Sequence, residues 1–452
     1  MARRIPRHSG PALRRTGGRG LEHPHAGGGD PRRPHHQRFD RSSTVSTATP
    51  SVWKQPAQVW AVAFACVVAF MGIGLVDPIL PAIAESLQAS PFETELLFTS
   101  YLAVTGLAML VTSWISSRIG AKKTLLIGLA LIVVFALFCA LSGSVDAVIG
   151  FRAGWGLGNA LFISTALATI VGAASGGSSA AIILYEAALG LGIAIGPLLG
   201  GLLGEQSWRV PFFGVVVLMA IAFLAVLALL RGPGEKRTPV AFSAPFKALG
   251  RPALAVLATA AFFYNIGFFI LLAFSPFPLG FGAMGIGFTF FGWGLALAVT
   301  SVWVAPMLMR RMPRTRVILL VLPLLALDLI VAGLLVESAT ALVICIVIGG
   351  LLLGVMNTVL TEAVMEATDL PRSVASSAYS SVRFLGGAIA PPLAAALWHA
   401  FSATVPYLVA AIAVLVAALT IFLGRKTLAH IDDEPEDPAV DDAAAILVGD
   451  AA

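Results

Sequence analysis

Long apolar runs alternate with short polar or charged breaks along most of this chain. A helix needs about 20 apolar residues to cross the hydrocarbon core of a bilayer, and most of these runs reach that length. The pattern therefore predicts about twelve membrane-spanning helices. Their predicted ranges are 55–76, 96–117, 124–145, 148–171, 180–203, 210–230, the two parts of 252–309, 317–336, 341–362, 376–400 and 405–423.

The run from Pro252 to Met309 carries no charged side chain and is far longer than one span requires. Proline and glycine cluster within it in the stretch Ser275-Pro-Phe-Pro-Leu-Gly280. These residues favour turns, because proline lacks a backbone N–H and glycine accepts backbone angles that other residues avoid. We therefore expect a turn at Ser275–Gly280 that divides the run into a seventh and an eighth helix.

The composition agrees with this pattern. Apolar side chains make up 58% of the 452 residues, charged ones only 12%, and the mean hydropathy is +0.90. These values exclude a soluble globular protein and predict an all-α polytopic membrane protein. We predict two pseudo-symmetric six-helix bundles at 55–230 and 252–425, joined by a cytoplasmic linker at 231–251. Residues 1–54 and 426–452 are predicted to be disordered tails, the first basic and the second acidic.

The net charge of +5 comes from the N-terminal tail and not from the helical part. Residues 1–44 contain ten Arg and three acidic side chains, a net +7, so the rest of the chain carries −2. A nucleic-acid-binding or lipid-binding arm is one interpretation of the tail, but we favour a dispensable tail and no nucleic-acid partner. One hypothesis is that Val45, read from a GTG codon, is the physiological start. N-terminal sequencing of the native protein would test it.

Basic residues in the short loops predict the orientation, because Lys and Arg are retained on the cytoplasmic side. If the N-terminus is inside, only Arg209 falls in an outer loop. Both termini are therefore predicted to be cytoplasmic, in a protein of the cell membrane. Besides the linker, the cytoplasmic cations are Arg118, Lys122, Lys123, Arg310, Arg311, Arg314, Arg316, Arg372, Arg425 and Lys426.

Glycine recurs every four residues in the fifth predicted helix, at Gly192, Gly196 and Gly200. On a helix these positions stack into a glycine rib, a face without side chains against which another backbone can pack closely. Pro197 lies within the rib and removes one backbone donor, which bends the helix. Taken alone, the rib is either an ordinary packing surface or a smooth face between two moving halves.

Four stretches, in the right order and on the right predicted helices, resemble the major facilitator superfamily, and specifically its twelve-helix drug:proton antiporter branch. The resemblance covers roughly residues 55–425. It implies two six-helix bundles that rock about a central site, and it makes the glycine rib an exporter-associated motif at a mobile seam between the halves. The stretches are Gly72-Ile-Gly-Leu-Val-Asp-Pro-Ile-Leu-Pro-Ala-Ile-Ala84, Ser113-Trp-Ile-Ser-Ser-Arg-Ile-Gly-Ala-Lys-Lys123, Arg152-Ala-Gly-Trp-Gly-Leu-Gly-Asn-Ala160 and Gly192–Gly201.

The loop after the second predicted helix departs from the family's pattern at three positions. Ser113, Ser117 and Ala121 stand where the family usually has glycine, aspartate and arginine. In the family that aspartate helps to latch the halves on the cytoplasmic side, so the latch is predicted to be weaker or built differently here. The predicted conformational motif consists of Ser117, Arg118, Gly120, Lys122, Gly192, Gly196, Pro197 and Gly200.

Ionisable side chains inside predicted spans are candidates for proton coupling, because a charge at the bilayer centre costs about 2.5–3.5 kcal/mol on insertion scales. Asp77 either takes up protons from outside or reaches headgroup water. The family links the position of Arg152 to proton coupling, and the alternative is an anchor at the outer interface. Glu186 either relays a proton or holds a cationic drug, or it reaches the cytoplasm or pairs with a loop cation. Arg383 has the same ambiguity and is a partner for a carboxylate of the other half.

Three further acidic side chains are predicted to have structural roles. Asp328 falls in the middle of the ninth helix, which is peripheral in this superfamily, so we expect a buried structural group. Glu362 and Glu366 lie four residues apart on one face of the tenth helix, where we expect a solvated helix end.

Asn265 and Asn357 lie on the seventh and tenth predicted helices, which line the cavity in this superfamily. We predict substrate contact there, together with Tyr264, Met356 and Phe162, whose aromatic and thioether groups adapt to flat hydrophobic molecules. The alternative is that the two amides hold neighbouring helices together.

These patterns predict a proton-coupled secondary transporter that exports hydrophobic small molecules, cationic ones among them, by alternating access. The alternative is a carrier for a single metabolite, or an importer, of the same superfamily. The sequence has no Gly-x-x-x-x-Gly-Lys-Ser/Thr loop, which argues against an ATP-driven pump. We expect no enzymatic activity, no metal site and no cofactor besides the proton gradient, in a monomer that contacts substrate, protons and the lipid bilayer.

Overall fold

The computed structural model describes residues 55–175, 177–230 and 239–432. Within them, twelve helices are long and apolar enough to cross a membrane, which confirms the predicted fold class. The predicted N-terminal tail, residues 231–238 of the linker and residues 433–452 of the acidic tail lie outside the described residues. The helices, labelled α1 to α12, are Ala57–Gly74, Pro91–Ile119, Ala121–Leu141, Val145–Ala173, Gly177–Gly204, Val210–Leu229, Pro252–Leu279, Met284–Met309, Arg314–Leu334, Ala339–Glu366, Arg372–Ala400 and Thr404–Gly424.

Helices α1–α6 and α7–α12 form two halves that meet along two seams. In the N-terminal half, α1 packs on α5 and α6, and α4 packs on α2 and α3. In the C-terminal half, α7 packs on α11 and α12, and α9 packs on α10 and α12. Between the halves, α2 packs on α11 and α5 packs on α8. These two seams are the surfaces along which one half can move against the other.

The outward face of the helices is as apolar as the interior. Large side chains such as Leu141, Leu224, Phe288, Leu334 and Leu423 are more than half exposed. A soluble protein rarely exposes so much contiguous apolar surface, whereas a bilayer solvates it. The apolar runs therefore supply both the core between the helices and the surface that faces lipid.

A local break follows α1, as the proline beside Asp77 predicts. The helix ends at Gly74, and a 3₁₀ turn at Asp77–Ile79 leads into a short helix, Leu80–Leu87. Pro78 supplies no backbone N–H, so the α-helical hydrogen-bond ladder is interrupted here. The side chain of Asp77 lies outside the described part of the structure, and its role remains a prediction.

The chain turns between α7 and α8 at Gly280, the last residue of the predicted Ser275–Gly280 stretch. The backbone of α7 widens into a π-helical turn at Ile270–Phe274, and after Ser275 it is helical again from Pro276 to Leu279. The wider turn makes room for the ring of Pro276. It also accommodates the backbone carbonyl one turn earlier, which receives no hydrogen bond because proline has no N–H. The reversal comes at Gly280, whose φ is +63°. The predicted turn within Ser275–Gly280 is therefore confirmed: Gly280 adopts the left-handed conformation that reverses the chain, whereas Pro276–Leu279 remain helical.

The glycine rib of α5 packs against α1 of the same half. A Cβ added to Gly196 would lie 2.5 Å from Met71 O, and one added to Gly192 would lie 2.7 Å from Phe70 Cβ. Gly200 meets the backbone of Leu75, the residue that follows α1, in the same way. The prediction that the rib forms a seam between the halves is wrong, because these three positions share the helix face that is turned towards α1.

Other small residues build the seam between α5 and α8. A Cβ added to Gly294 of α8 would lie 2.7 Å from Gly190 O, so the two backbones touch. Pro197 borders both the surface that packs against α1 and the seam with α8. A Cβ on Gly74 of α1 would lie 2.9 Å from the Pro197 ring, and one on Gly287 of α8 would lie 3.2 Å from Pro197 O. Pro197 is thus the rib residue that reaches the seam.

Two short helices follow the halves. Ala244–Leu249, within the predicted linker, contacts α2, α7 and α11. Ala429–Asp432 contacts α9, and its Ile431 is buried. The disordered tail was predicted to begin at 426, which is wrong for these residues, because Ile431 supplies an apolar side chain that the segment buries against the helices.

Candidate coupling and substrate site

A buried polar cluster lies where the two halves meet. Glu186 of α5 belongs to the N-terminal half, whereas Thr361 of α10 and Arg383 of α11 belong to the C-terminal half. Thr361 Oγ1 donates a hydrogen bond to Glu186 Oε1 over 2.9 Å, and Arg383 Nη1 lies 3.9 Å from the same oxygen. The prediction that Arg383 pairs with a carboxylate of the other half is confirmed.

This ion pair is removed from water. Glu186 is 0% exposed and Arg383 is 8% exposed. The interpretation in which Glu186 reaches the cytoplasm is therefore wrong, because no part of its side chain is accessible. Breaking one member of a buried pair leaves an uncompensated charge, which is strongly destabilising. The pair is consequently a link between the halves whose strength depends on the charge of Glu186.

Three of the predicted cavity residues lie beside this cluster. The Tyr264 hydroxyl of α7 donates a hydrogen bond to Asn357 Oδ1 of α10, and Tyr264 lies within electrostatic reach of Arg383. Asn265 Nδ2 donates to Ala261 O in its own helix. Its Oδ1 is buried and has no hydrogen-bond partner among the described residues. The structure therefore brings Tyr264, Asn265, Asn357 and Arg383 together at the junction of the halves.

The walls around these polar groups are aromatic. Asn265 and Arg383 border one small gap that is otherwise lined by apolar side chains, with Phe70, Phe268, Phe269 and Phe384 among them. Such rings pack against flat molecules without strict geometric demands, as promiscuous binding surfaces require. The gap is nearly closed in this conformation.

Arg152 of α4 is buried entirely, but its surroundings differ from those of Arg383. Its Nε donates a hydrogen bond to Leu97 O and its Nη1 donates one to Gly72 O, each over 3.3 Å. The guanidinium also lies 4.4 Å from the Tyr101 ring centroid and 4.9 Å from that of Trp155. These contacts exclude an anchor that reaches the outer interface. The role of Arg152 in proton coupling remains a prediction.

The other two predicted cavity residues, Phe162 and Met356, are not among the residues whose contacts form the buried polar cluster. Phe162 packs against α3, since a Cβ added to Gly128 would lie 2.9 Å from Phe162 N and 3.1 Å from its Cβ. This face of α4 is turned into the N-terminal half. Met356 is buried in α10 beside Asn357. Substrate contact by either residue remains a prediction, and the position of Phe162 disfavours it.

Ser117, near the end of α2, contacts the linker, and its part in a latch between the halves remains a prediction. Val240 N of the linker donates a hydrogen bond to Ser117 Oγ over 3.0 Å, and Phe242 packs edge-on against Trp114 of α2. Arg118 stacks over the same Trp114 ring at 4.7 Å. The segment that follows the N-terminal half is therefore fastened to α2 by one hydroxyl and one aromatic pair.

Gly120 and Lys122 complete the loop between α2 and α3. Gly120 alone separates α2 from α3 and has a φ of +92°, a conformation that residues with a Cβ rarely adopt. Lys122 Nζ donates a hydrogen bond to Leu227 O at the end of α6, over 2.8 Å. Both residues therefore fix the geometry of the basic end, which we define as the end that carries Arg118, Lys122 and Arg314.

The comparisons with known proteins agree with this architecture. A model of the Major Facilitator Superfamily matches residues 62–391. The chain belongs to the Major Facilitator Superfamily. It is similar to "Multidrug efflux protein YfmO" of Bacillus subtilis (strain 168), with 53% identity over 393 residues that cover 87% of this chain and 99% of that protein.

A solved structure has the same fold. The crystal structure of the human organic anion transporter MFSD10 (TETRAN) matches with a TM-score of 0.69 and covers 81% of this chain and 99% of that one. The sequence identity is 18%, so the likeness shows the fold alone. As a superfamily member, the chain is a membrane transporter of small molecules.

One cavity of this transporter was not predicted from the sequence. The basic-end cavity, of about 820 Å³, lies between α2, α4 and α11 and is bordered by the linker at Pro239, Val240, Ala241 and Ala244. Nine of its lining residues are Ser or Thr. A signal for it exists in α11, where five serines fall between Ser373 and Ser381. They share α11 with Arg383, and a charge inside a span is a far stronger sequence signal than a serine.

The remaining acidic side chains have structural positions. Asp328 is buried near Gly349, where an added Cβ would lie 3.3 Å from Asp328 Oδ2, as expected for a structural group. Glu362 is also nearly buried, and its Oε1 lies 3.0 Å from Arg314 Nη2. Arg314 Nη1 donates to Ile431 O as well. The expectation of a solvated helix end is therefore wrong for Glu362, because its carboxylate is nearly buried and pairs with Arg314 of α9.

Proposed function

We propose that this chain is a proton-coupled exporter of hydrophobic small molecules, of the multidrug efflux type, that works by alternating access. Membership of the superfamily and the likeness to YfmO support export of drug-like molecules. The proton gradient is the energy source, and no other cofactor takes part. The transporter lies in the cell membrane as a monomer with both termini in the cytoplasm, in keeping with the basic residues at one end.

The observation that carries the proposal is the Glu186–Arg383 pair, because its members belong to opposite halves. A proton on Glu186 removes the charge that attracts Arg383 and weakens the link between the halves. Loss of the proton restores it. Glu186 thus connects proton binding to the relative position of the halves, with Arg152 and Asp77 as the other candidates for the proton path.

The test uses the full chain in proteoliposomes, with a panel of uncharged and cationic drugs and an imposed proton gradient. We expect the gradient to drive drug movement and a protonophore to abolish it. Glu186→Gln should abolish gradient-driven movement and leave drug exchange in the absence of a gradient. Glu205→Gln, at an exposed acid between α5 and α6, is the matched control.

Two outcomes would contradict the proposal. Drug movement that is indifferent to the protonophore would exclude proton antiport. Saturable transport of a single metabolite, with no drug of the panel transported, would favour the single-metabolite carrier. Asp77→Asn tested in parallel decides whether Asp77 belongs to the proton path, since unchanged coupling would remove it.

A further inference from the structure

The basic-end cavity contains buried hydroxyl groups that no protein atom satisfies. Ser113 of α2, Ser164 and Thr165 of α4, and Ser377 of α11 all line it. Each is at most 3% exposed. Their Oγ atoms have no hydrogen-bond partner among the described residues. Buried hydroxyls are normally paired, so four orphaned ones in one cavity indicate a place built for a hydrogen-bonding guest.

The hydroxyls come from both halves of the transporter. Ser113, Ser164 and Thr165 belong to the N-terminal half, and Ser377 belongs to the C-terminal half. A guest that pairs with both sets is held at the seam between α2 and α11, and it loses one set when the halves separate. This placement suits a molecule whose binding changes during alternating access.

The charge of the lining decides the class of guest. Among the described lining residues the one charged side chain is Lys122, and its ammonium donates to Leu227 O. No described lining residue is acidic, so no side chain in the described part of the lining compensates the cost of desolvating a fixed positive charge. A hydroxyl both donates and accepts, and it therefore pairs with hydroxyl, amide and carbonyl groups alike.

The size of the cavity fits a drug-sized molecule. Ligand sites typically enclose about 300–1,000 Å³, and this cavity has about 820 Å³. Apolar side chains, with Ala168, Leu230 and Val374 among them, supply most of the remaining wall, to which Gln58 adds an amide. The linker segment at Val240 borders it through its bond to Ser117. The cavity therefore offers a mixed apolar and hydroxyl surface.

We propose that the basic-end cavity is a second recognition site of this transporter, which binds uncharged, hydrogen-bonding amphiphiles through Ser113, Ser164, Thr165 and Ser377. The proposal rests on the export function proposed above and names a substrate class for it. It separates this class from permanent cations, for which the described lining residues offer no acidic partner.

The experiment compares two probes on the purified full chain. Chloramphenicol is uncharged and carries hydroxyl and amide groups, whereas ethidium is a permanent cation. Binding is measured by calorimetry in lipid nanodiscs, and transport is measured separately in proteoliposomes. The variants are Ser164→Ala/Thr165→Val and Ser377→Ala. Thr420→Val is the matched control, because Thr420 Oγ1 donates to Val416 O within α12, away from the cavity.

We expect the Kd for chloramphenicol to rise at least tenfold in both cavity variants, with ethidium affinity unchanged within twofold. Removing unpaired hydroxyls should leave Tm equal to or above that of the wild type, whereas loss of hydroxyls with structural bonds would lower it. The control should bind chloramphenicol like the wild type.

The outcomes separate this proposal from the proposed function. Hydroxyl-dependent binding of chloramphenicol without proton-driven export would support the site and contradict the export function. Absence of saturable chloramphenicol binding to the wild type would overturn the site. An equal loss of affinity for chloramphenicol and ethidium in the cavity variants would also overturn the site. Chloramphenicol affinity that is unchanged in both cavity variants would overturn it as well.

Discussion

Arg152 and Arg383, the two buried arginines in the described part of this transporter, are held in different ways. The hydrogen bonds of Arg152 described above go to carbonyls of α1 and α2, within its own half. Arg383 faces the carboxylate of Glu186 from the opposite half. A rocking motion carries Arg152 together with those carbonyls, but it must stretch the pair that Arg383 makes. The comparison teaches that burial of a charge inside a span does not by itself identify a moving part, whereas a partner in the other half does.

The glycines repeat this distinction. Gly196 touches the backbone of α1 in its own half, and Gly294 touches Gly190 across the seam. Both contacts are too close for a side chain. One fastens a helix within a half, and the other lies on a surface that alternating access has to rearrange.

The largest expected effect follows from breaking the pair between the halves. Arg383→Gln leaves Glu186 buried without its cation, and breaking a buried pair costs about 3–5 kcal/mol. We expect at least a hundredfold loss of transport and a lower Tm in detergent. The double variant Glu186→Gln/Arg383→Gln should recover Tm, because two neutral side chains replace two charges, but should not recover proton coupling. Wild-type transport by Arg383→Gln would contradict this view of the pair.

A smaller effect is expected from Arg152→Lys. The substitution loses the carbonyl bonds and the ring contacts of a planar guanidinium, a change of about 2–3 kcal/mol in the free energy of unfolding. We expect a lower Tm, while distances between spin labels on the two halves still respond to substrate. Lost proton coupling at unchanged Tm would instead place Arg152 in the proton path, as the family resemblance predicts.

Substitution of Gly196 or Gly294 by alanine is expected to lower the free energy of unfolding by about 1–3 kcal/mol, because the added methyl group overfills a close contact. Gly196→Ala should lower Tm without changing the balance between inward-open and outward-open states. Gly294→Ala should change that balance, because its neighbours belong to the other half. Accessibility of engineered cysteines to a membrane-impermeant thiol reagent measures the balance. If both variants change the balance between inward-open and outward-open states equally, Gly196 and Gly294 do not differ in the way proposed here.

The smallest effect is expected from Thr361→Val. It removes the hydrogen bond to Glu186 Oε1, which contributes about 1 kcal/mol, and leaves Arg383 in place. We expect transport to fall a few-fold with a normal Tm, and Thr361→Ser, which keeps the hydroxyl, to transport like the wild type. A loss in Thr361→Ser as large as in Thr361→Val would show that shape and not the hydrogen bond matters.

Much of the candidate site could be found from sequence, because a charge or an amide in an apolar span is conspicuous. Glu186, Arg383, Asn265 and Asn357 are recognisable in this way, whereas the bond between Tyr264 and Asn357 is seen only in the structure. Thr361 is not recognisable in this way, since a threonine inside a helix usually bonds its own backbone. The hydroxyls of the basic-end cavity were missed for the same reason: a single serine in a span carries little signal, and only their convergence is informative.

The sequence by itself determined the number of spans, the all-helical class and the break beside Asp77, because these follow from local hydropathy and from residues that cannot continue a helix. Tertiary structure decided which face of each helix meets which neighbour. It turned the glycine rib towards α1, set Gly280 as the point of reversal and placed Arg383 opposite Glu186, a residue 197 positions earlier in the chain. Inside a membrane both the core and the lipid-facing surface are apolar, so hydropathy alone does not tell the packed faces of a helix from the faces that meet lipid.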